Sequence, residues 1–254
     1  DGANLSYGGG SLTGGATSNL TIGTGTDITL NAISGGLNNF NTSRNITLGA
    51  DLTVNGTLTL TAGTFTVSNR TLTLNGPTIA GIPANLATTS SSSLIFGGTS
   101  AGVLIPTSVA ALNNLTITNT NIVTLQSSPT VSGTFTPGGG GLSIGANTLT
   151  LNGPAVCGTL VGGAASNIII GGAGAANIPG VTLNNLTLNK AAAMCGNVTV
   201  GGTLALNAGA LSIAANTLTL SDGANLSYGG GSLTGGATSH LTIGTGTDIT
   251  LNAV

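Results

Sequence analysis

The chain has 254 residues, of which three are Lys or Arg, five are Asp and none is Glu, so 3% are charged against about 25% in an ordinary soluble domain. Its 44 Gly and 7 Pro fall short of the share that marks low-complexity disorder, while 40% hydrophobic residues and a net charge of −2 also argue for an ordered chain. No glycine recurs at every third position, which excludes collagen. Arg44, Arg70 and Lys190 cannot form a phosphate-neutralising patch, which argues against nucleic acid as a partner, and the apolar runs are too short for a membrane-spanning helix.

Residues 1–32 open the chain and return at 222–253 with one change, Asn19 to His240, so the second copy is offset by 221 along the chain. Within that period lies a shorter, degenerate one. The marker LNN begins at Leu37, Leu112 and Leu183, and the marker TLTL begins at Thr71, Thr148 and Thr217. One period thus holds three units of about 74 residues. They run as a partial unit at 1–36, then 37–111, 112–182 and 183–254. The chain starts without Met and both ends fall inside a unit, so it reads as a single continuous excerpt of a longer tandem array.

Each unit is a string of very short β segments. In the last one they are LTL (186–188), VTV (198–200), LAL (204–206), LSI (211–213), LTL (218–220), LSY (226–228), SLT (232–234), LTI (241–243) and ITL (249–251). Apolar and small or hydroxyl residues alternate, as in half-buried strands. The links are rich in Gly, Asn, Ala, Ser and Thr, and no apolar stripe of helical period is present. Such short strands are not stable in isolation. They are stable when each stacks on its equivalent in the next coil. The pattern therefore predicts an all-β fold, a parallel, right-handed β-solenoid (β-helix) with about three short strands and about 24 residues per coil. About ten coils at roughly 4.8 Å make a slim rod about 50 Å long. Leu, Val and Ile are expected inside and the middle Thr or Ser outside. Asn55-Gly56, Asn75-Gly76 and Asn152-Gly153 are expected at corners, where Asn tolerates left-handed backbone and can bond along a stack. The alternative, type I′ hairpins joining antiparallel strands, buries too little and leaves the fixed period unexplained.

Strings such as LTVNGTLTLTAGTFTV (52–67), ANTLTLNG (146–153) and LNNLTLNK (183–190) resemble the low-charge repeats of giant secreted surface proteins of Bacteroidota, including filamentous adhesins of gliding motility and attachment. More loosely they are similar to the β-helical passenger regions of autotransporters and filamentous haemagglutinin-like adhesins. The resemblance implies a bacterial cell-surface or extracellular location and a stalk, fibre or biofilm-matrix role.

The chemistry-bearing residues are sparse. Asp1 and Asp222 are one repeat position, as are Asp27 and Asp248, and Asp51 stands apart; no paired carboxylates of the kind a glycosidase needs are in view. IGTGTD (22–27 and 243–248) is faintly like a calcium-binding β-roll repeat but occurs once per period, so a corner before a strand is the expected reading. Gly138–Gly141 lacks the Gly-Lys-Ser/Thr of a phosphate loop. His240 is expected at the surface, and Met194, Tyr7 and Tyr228 in packing or corner positions. The sequons at Asn4, Asn45, Asn114 and Asn185 follow from the corner-then-strand pattern. Cys157 and Cys195 are 38 residues apart. On coils of the expected length they fall at different corners, beyond the roughly 7 Å Cα limit for a disulfide, so both are expected to be unpaired. No catalytic, cofactor-binding or metal-binding residue is expected.

The function expected is therefore a non-enzymatic structural fibre, self-associating end to end or laterally, with its receptor unspecified. The competing expectation is an ice- or surface-binding solenoid using Thr-x-Thr pairs at Thr57/Thr59, Thr71/Thr73, Thr148/Thr150 and Thr217/Thr219.

Overall fold

A computed structural model describes residues 12–174 and 176–246; Asp1, Asn4, Tyr7 and Asp248 lie outside them. The fold is an all-β parallel solenoid of about twelve turns. The described residues include one 3-10 turn, Pro83–Asn85, and no α-helix. Every strand pairing among them is parallel. A strand pairs with the third strand after it along most of the chain: Asn19–Ile22 with Asn39–Thr42, Ile28–Leu30 with Ile46–Leu48, and Leu52–Val54 with Thr71–Leu74. The alternation within each strand is realised as expected. Leu52, Val54, Leu58, Leu60, Val198 and Val200 point inward, with Thr53, Thr59 and Thr199 between them turned outward. Inward residues also stack on inward residues of the next turn, as in the run Leu52, Leu72, Leu94, Leu115, Phe135. The four phenylalanines, Phe40, Phe65, Phe96 and Phe135, are fully buried, and Phe40 meets Phe65 edge-on at 5.7 Å. They supply the bulk that the aliphatic side chains lack.

Among the described strand pairings, every turn is shorter than a third of the repeat unit. The shortest step sets Asn177 beside Ala193, and the longest sets Thr217 beside His240. Corners are tighter than composition alone suggests, because glycine lets backbones touch: a Cβ on Gly76 would sit 1.8 Å from the carbonyl oxygen of Gly56. The shorter turns overturn the expectation of unpaired cysteines. One turn runs from Ala155 to Ala176, and the next runs only from Asn177 to Ala193. The separation of 38 between the cysteines is therefore two turns, and both come to the same corner. Cys157 and Cys195 form a disulfide with a Cα–Cα distance of 6.1 Å. The corner between them is occupied by Pro179 and Gly180, packed so closely that a Cβ on Gly196 would lie 2.4 Å from Gly180 N.

The repeat unit is not a whole number of turns. Its TLTL marker lies in three different sheets: Thr71–Leu74 with Leu52–Val54, Thr148–Leu151 with Asn167–Ile170, and Thr217–Leu220 with Val198–Val200. The second marker strand is the eleventh after the first and the third is the tenth after the second, so the unit does not return to one sheet. Leu12 and Leu233 are the same repeat position, and eleven steps along one column connect them. That column runs from Ile33 and Leu37 through Leu52, Leu94, Phe135, Ala155, Ala176 and Leu211. The long period is eleven turns.

Local geometry repeats with the unit whichever sheet it occupies. Ser68, Gly145 and Ala214 stand three positions before the three TLTL strands, and all have left-handed backbone, with φ of 60°, 60° and 53°. The carbonyl of each accepts a hydroxyl from the next turn, Ser92, Ser166 and Ser239 respectively. Those same hydroxyls accept the backbone N–H of Thr89, Gly163 and Gly236, each at 2.9–3.0 Å. The only non-Gly left-handed residues among those described are Ser68 and Ala214, so the corner asparagines do not use the conformation expected of them.

Candidate functional site

The asparagines work by side-chain bonding along the stack. Asn39, Asn45, Asn114, Asn185 and Asn197 each accept, through Oδ1, the backbone N–H that opens a strand one turn later, at Thr57, Thr64, Thr134, Thr203 and Thr217, over 2.7–2.9 Å. Nδ2 reaches the previous turn: Asn39 to Asn19, Asn75 to Asn55, and Asn185 to Asn167, each at 2.8 Å. Each corner oxygen thus satisfies a strand-end donor that the ladder itself leaves over. Three of the sequon asparagines, Asn45, Asn114 and Asn185, are such corner residues.

Two of the described carboxylates do the same work. Asp51 accepts from Thr71 N at 2.8 Å and Asp222 from Thr245 N at 2.7 Å, while Asp27 accepts from Asn45 Nδ2 at 3.0 Å. The structure brings no two of these three together, and among the described residues no three of His, Cys, Asp or Glu gather at a point. The IGTGTD loop at 22–27 is a corner leading into Ile28–Leu30, as expected. Its carbonyls at Gly23, Thr24 and Thr26 accept from the guanidinium of Arg44 in the next turn, which is only 5% exposed. A cationic side chain already occupies the oxygens that a calcium ion would need. Sequence reasoning missed this clamp; the signal available was a basic residue in a chain that has only three.

Lys190 repeats the arrangement at another corner. Its Nζ donates to the carbonyls of Ala173, Gly153 and Asn152 at 3.1–3.4 Å, and burial lowers its pKa below the usual 10.5. Beside it runs a shallow groove lined by Gly172, Ala176, Ala193 and Ser212, whose alanine methyls offer shape without acid–base chemistry. His240 is exposed and pairs in register with Thr217; Met194 is buried; Tyr228 packs against the core, and burial raises its pKa.

The Thr-x-Thr pairs do not assemble into one array. Thr59 stands between Asn41 and Ala80, Thr73 between Thr53 and Ile95, and Thr150 between Thr130 and Ile169. The longest single-file row among the described residues is Thr182, Thr199, Thr219 and Thr242, beside a shorter one of Thr29, Thr47 and Thr66. It ends at an edge: among the described residues, Ser232–Thr234 and His240–Ile243 have a strand neighbour on one side only. There Leu241 and Ile243 are 38% and 43% exposed, and both sit in strand positions that are buried one turn earlier, at Leu218 and Leu220.

No helix among the described residues is long and apolar enough to cross a membrane. The chain matches no protein-family model, and no curated protein or solved structure is significantly similar to it.

Proposed function

We propose that this chain is a structural rod, a length of fibre or stalk on a bacterial cell surface or in an extracellular matrix, and that it carries no catalysis. Its coil is right-handed with three strands to the turn, so the three columns form a triangular shaft. The observation that carries the reading is the return of the long period to its own column after eleven turns: a period that closes on whole turns extends a shaft without changing its faces. The resemblance of its strand strings to secreted surface adhesins supports a location outside the cell. With so few charges, neighbouring shafts repel only weakly, which favours lateral bundling. Electron microscopy and fibre diffraction of native material test the proposal. The expected result is extended filaments with a meridional spacing of about 4.8 Å, and compact, uniform particles refute it.

A further inference from the structure

We infer that the rod is jointed, and that the Cys157–Cys195 disulfide latches one joint, so that its reduction lets the rod swing open about a single surviving ladder. The joints lie where the sequence places proline. TLTL is followed by Asn-Gly-Pro at 75–77 and at 152–154, but by Ser-Asp-Gly-Ala at 221–224. Proline has no N–H to give to a ladder. After each Asn-Gly-Pro the marker strand's own ladder carries on, from Thr71–Leu74 to Ser93–Phe96 and from Thr148–Leu151 to Asn167–Ile170. The ladders of the strands that follow it lapse. At the first joint Ala80–Gly81 and Leu86–Ala87 end their sheets, and Val103–Ile105 and Ala111–Leu112 begin others. At the second, Leu160–Val161 ends its sheet and Val181–Leu183 begins another. Beside it, among the described residues, Ala155 has isolated bridges to Phe135 and Ala176 in place of a strand.

A stack laddered on one side and only packed on the others is a hinge whose pin is the surviving ladder. The first joint is held shut by large buried side chains, Ile79, Leu86, Val103 and Val109. The Thr78 hydroxyl also ties it, donating to Gly102 O at 3.1 Å and accepting from Leu104 N–H at 2.9 Å. The second joint has buried alanines at 155 and 176, whose methyl groups bury little area, so packing closes it weakly. The disulfide supplies the missing tie. Cys157 lies between Ala155 and Leu160, in the connection between the two lapsed ladders. Cys195 lies two turns on, between Ala192–Met194 and Val198–Val200. The bond thus fastens the side away from the pin. Lys190 reaches back over the same two turns to Asn152 and Gly153, but it adjoins the pin strand Asn185–Leu188, where it restrains little of the swing. Both cysteines are exposed, so a small dithiol reaches them. Its attack passes two electrons to the S–S bond, which becomes two thiols while the dithiol closes to its own disulfide.

The test is the distance between two spin labels in the whole chain, carried on non-canonical ketone residues so that the native cysteines are left alone. One pair, at Thr124 and Thr219, stands on either side of the second joint along the lapsed ladder. The other, at Thr130 and Ala205, spans the same joint along the pin. All four side chains point outward. Reduction with a dithiol should lengthen the first distance by about 5 Å or more, one strand spacing, and leave the second unchanged. Cys157→Ser with Cys195→Ser should give the same pattern without reductant. A first distance that stays put in both overturns the hinge, because the unlatched side then holds unaided. Equal shifts in both pairs also overturn it, because they report turns unfolding rather than swinging about an intact ladder. Either failure leaves the fibre proposal standing, since that is tested by the shape of native material.

Discussion

Replacing Cys157 and Cys195 together with Ser opens a closed loop of 38 residues. In the chain-entropy description, closing a loop of that length removes about 13 cal/mol/K from the unfolded ensemble, or about 4 kcal/mol at 25 °C. The loop spans two turns, so the loss falls on a defined stretch of the rod. Stability in a stacked array is a sum of turns and their interfaces, and the turns between the cysteines should open first. Urea titration of the oxidised protein, the reduced protein and the double variant should place the last two together, weaker than the oxidised form by about 3–4 kcal/mol. Hydrogen exchange should show protection lost chiefly across 158–194. A difference below about 0.5 kcal/mol refutes the entropic reasoning, and quantitative alkylation of both thiols in unreduced native protein refutes the pairing itself.

Gly76→Ala drives a Cβ to 1.8 Å from the Gly56 carbonyl oxygen, whereas nothing lies within 4 Å of a Cβ on Gly163; thermal melts should show a loss of about 2 kcal/mol or more for the first and no loss for the second. Asn185→Ala strands the N–H of Thr203 and should cost about 1–2 kcal/mol, while Asn185→Asp, which keeps the acceptor as Asp51 does naturally, should recover most of it in the same denaturation assay. Ala214→Gly relieves left-handed backbone at a position where the sister unit already has Gly145, and should stabilise by up to about 1 kcal/mol. Burial lowers the Lys190 pKa from its usual 10.5, so just below that pH the unfolded chain holds a proton that the folded chain has shed. Stability should rise with pH there, and Lys190→Met should flatten that slope in pH-dependent melts.

Strand positions were legible in the sequence because alternation is a local property: Leu-Thr-Val at 52–54 declares one inward and one outward side wherever the strand is placed. Turn length was not, because it depends on which distant segments become neighbours. The markers that give the unit its spacing are strands from different sheets, so dividing that spacing by three produced turns that were too long. The cysteine error followed directly from it. The Arg44 clamp and the paired roles of Ser92, Ser166 and Ser239 were hidden for a related reason, since each joins segments about a turn or more apart through backbone carbonyls that no residue type announces. Asn45 and Asn185 were read correctly as corner residues, but their tolerance of unusual dihedrals turned out to matter less than their amide oxygens.

Because the hydrogen-bonded ladder lies along the shaft, a force drawing its two ends apart loads those bonds in series, one layer at a time, rather than all at once in shear. A shaft pulled in this way yields stepwise. Each released turn of about 20 residues lengthens the molecule by roughly 65 Å, its extended contour less the roughly 4.8 Å it occupied when stacked. The cross-link between Cys157 and Cys195 holds two adjacent layers out of that sequence. The disulfide is thus a covalent stop partway along the length that such stepwise opening would release.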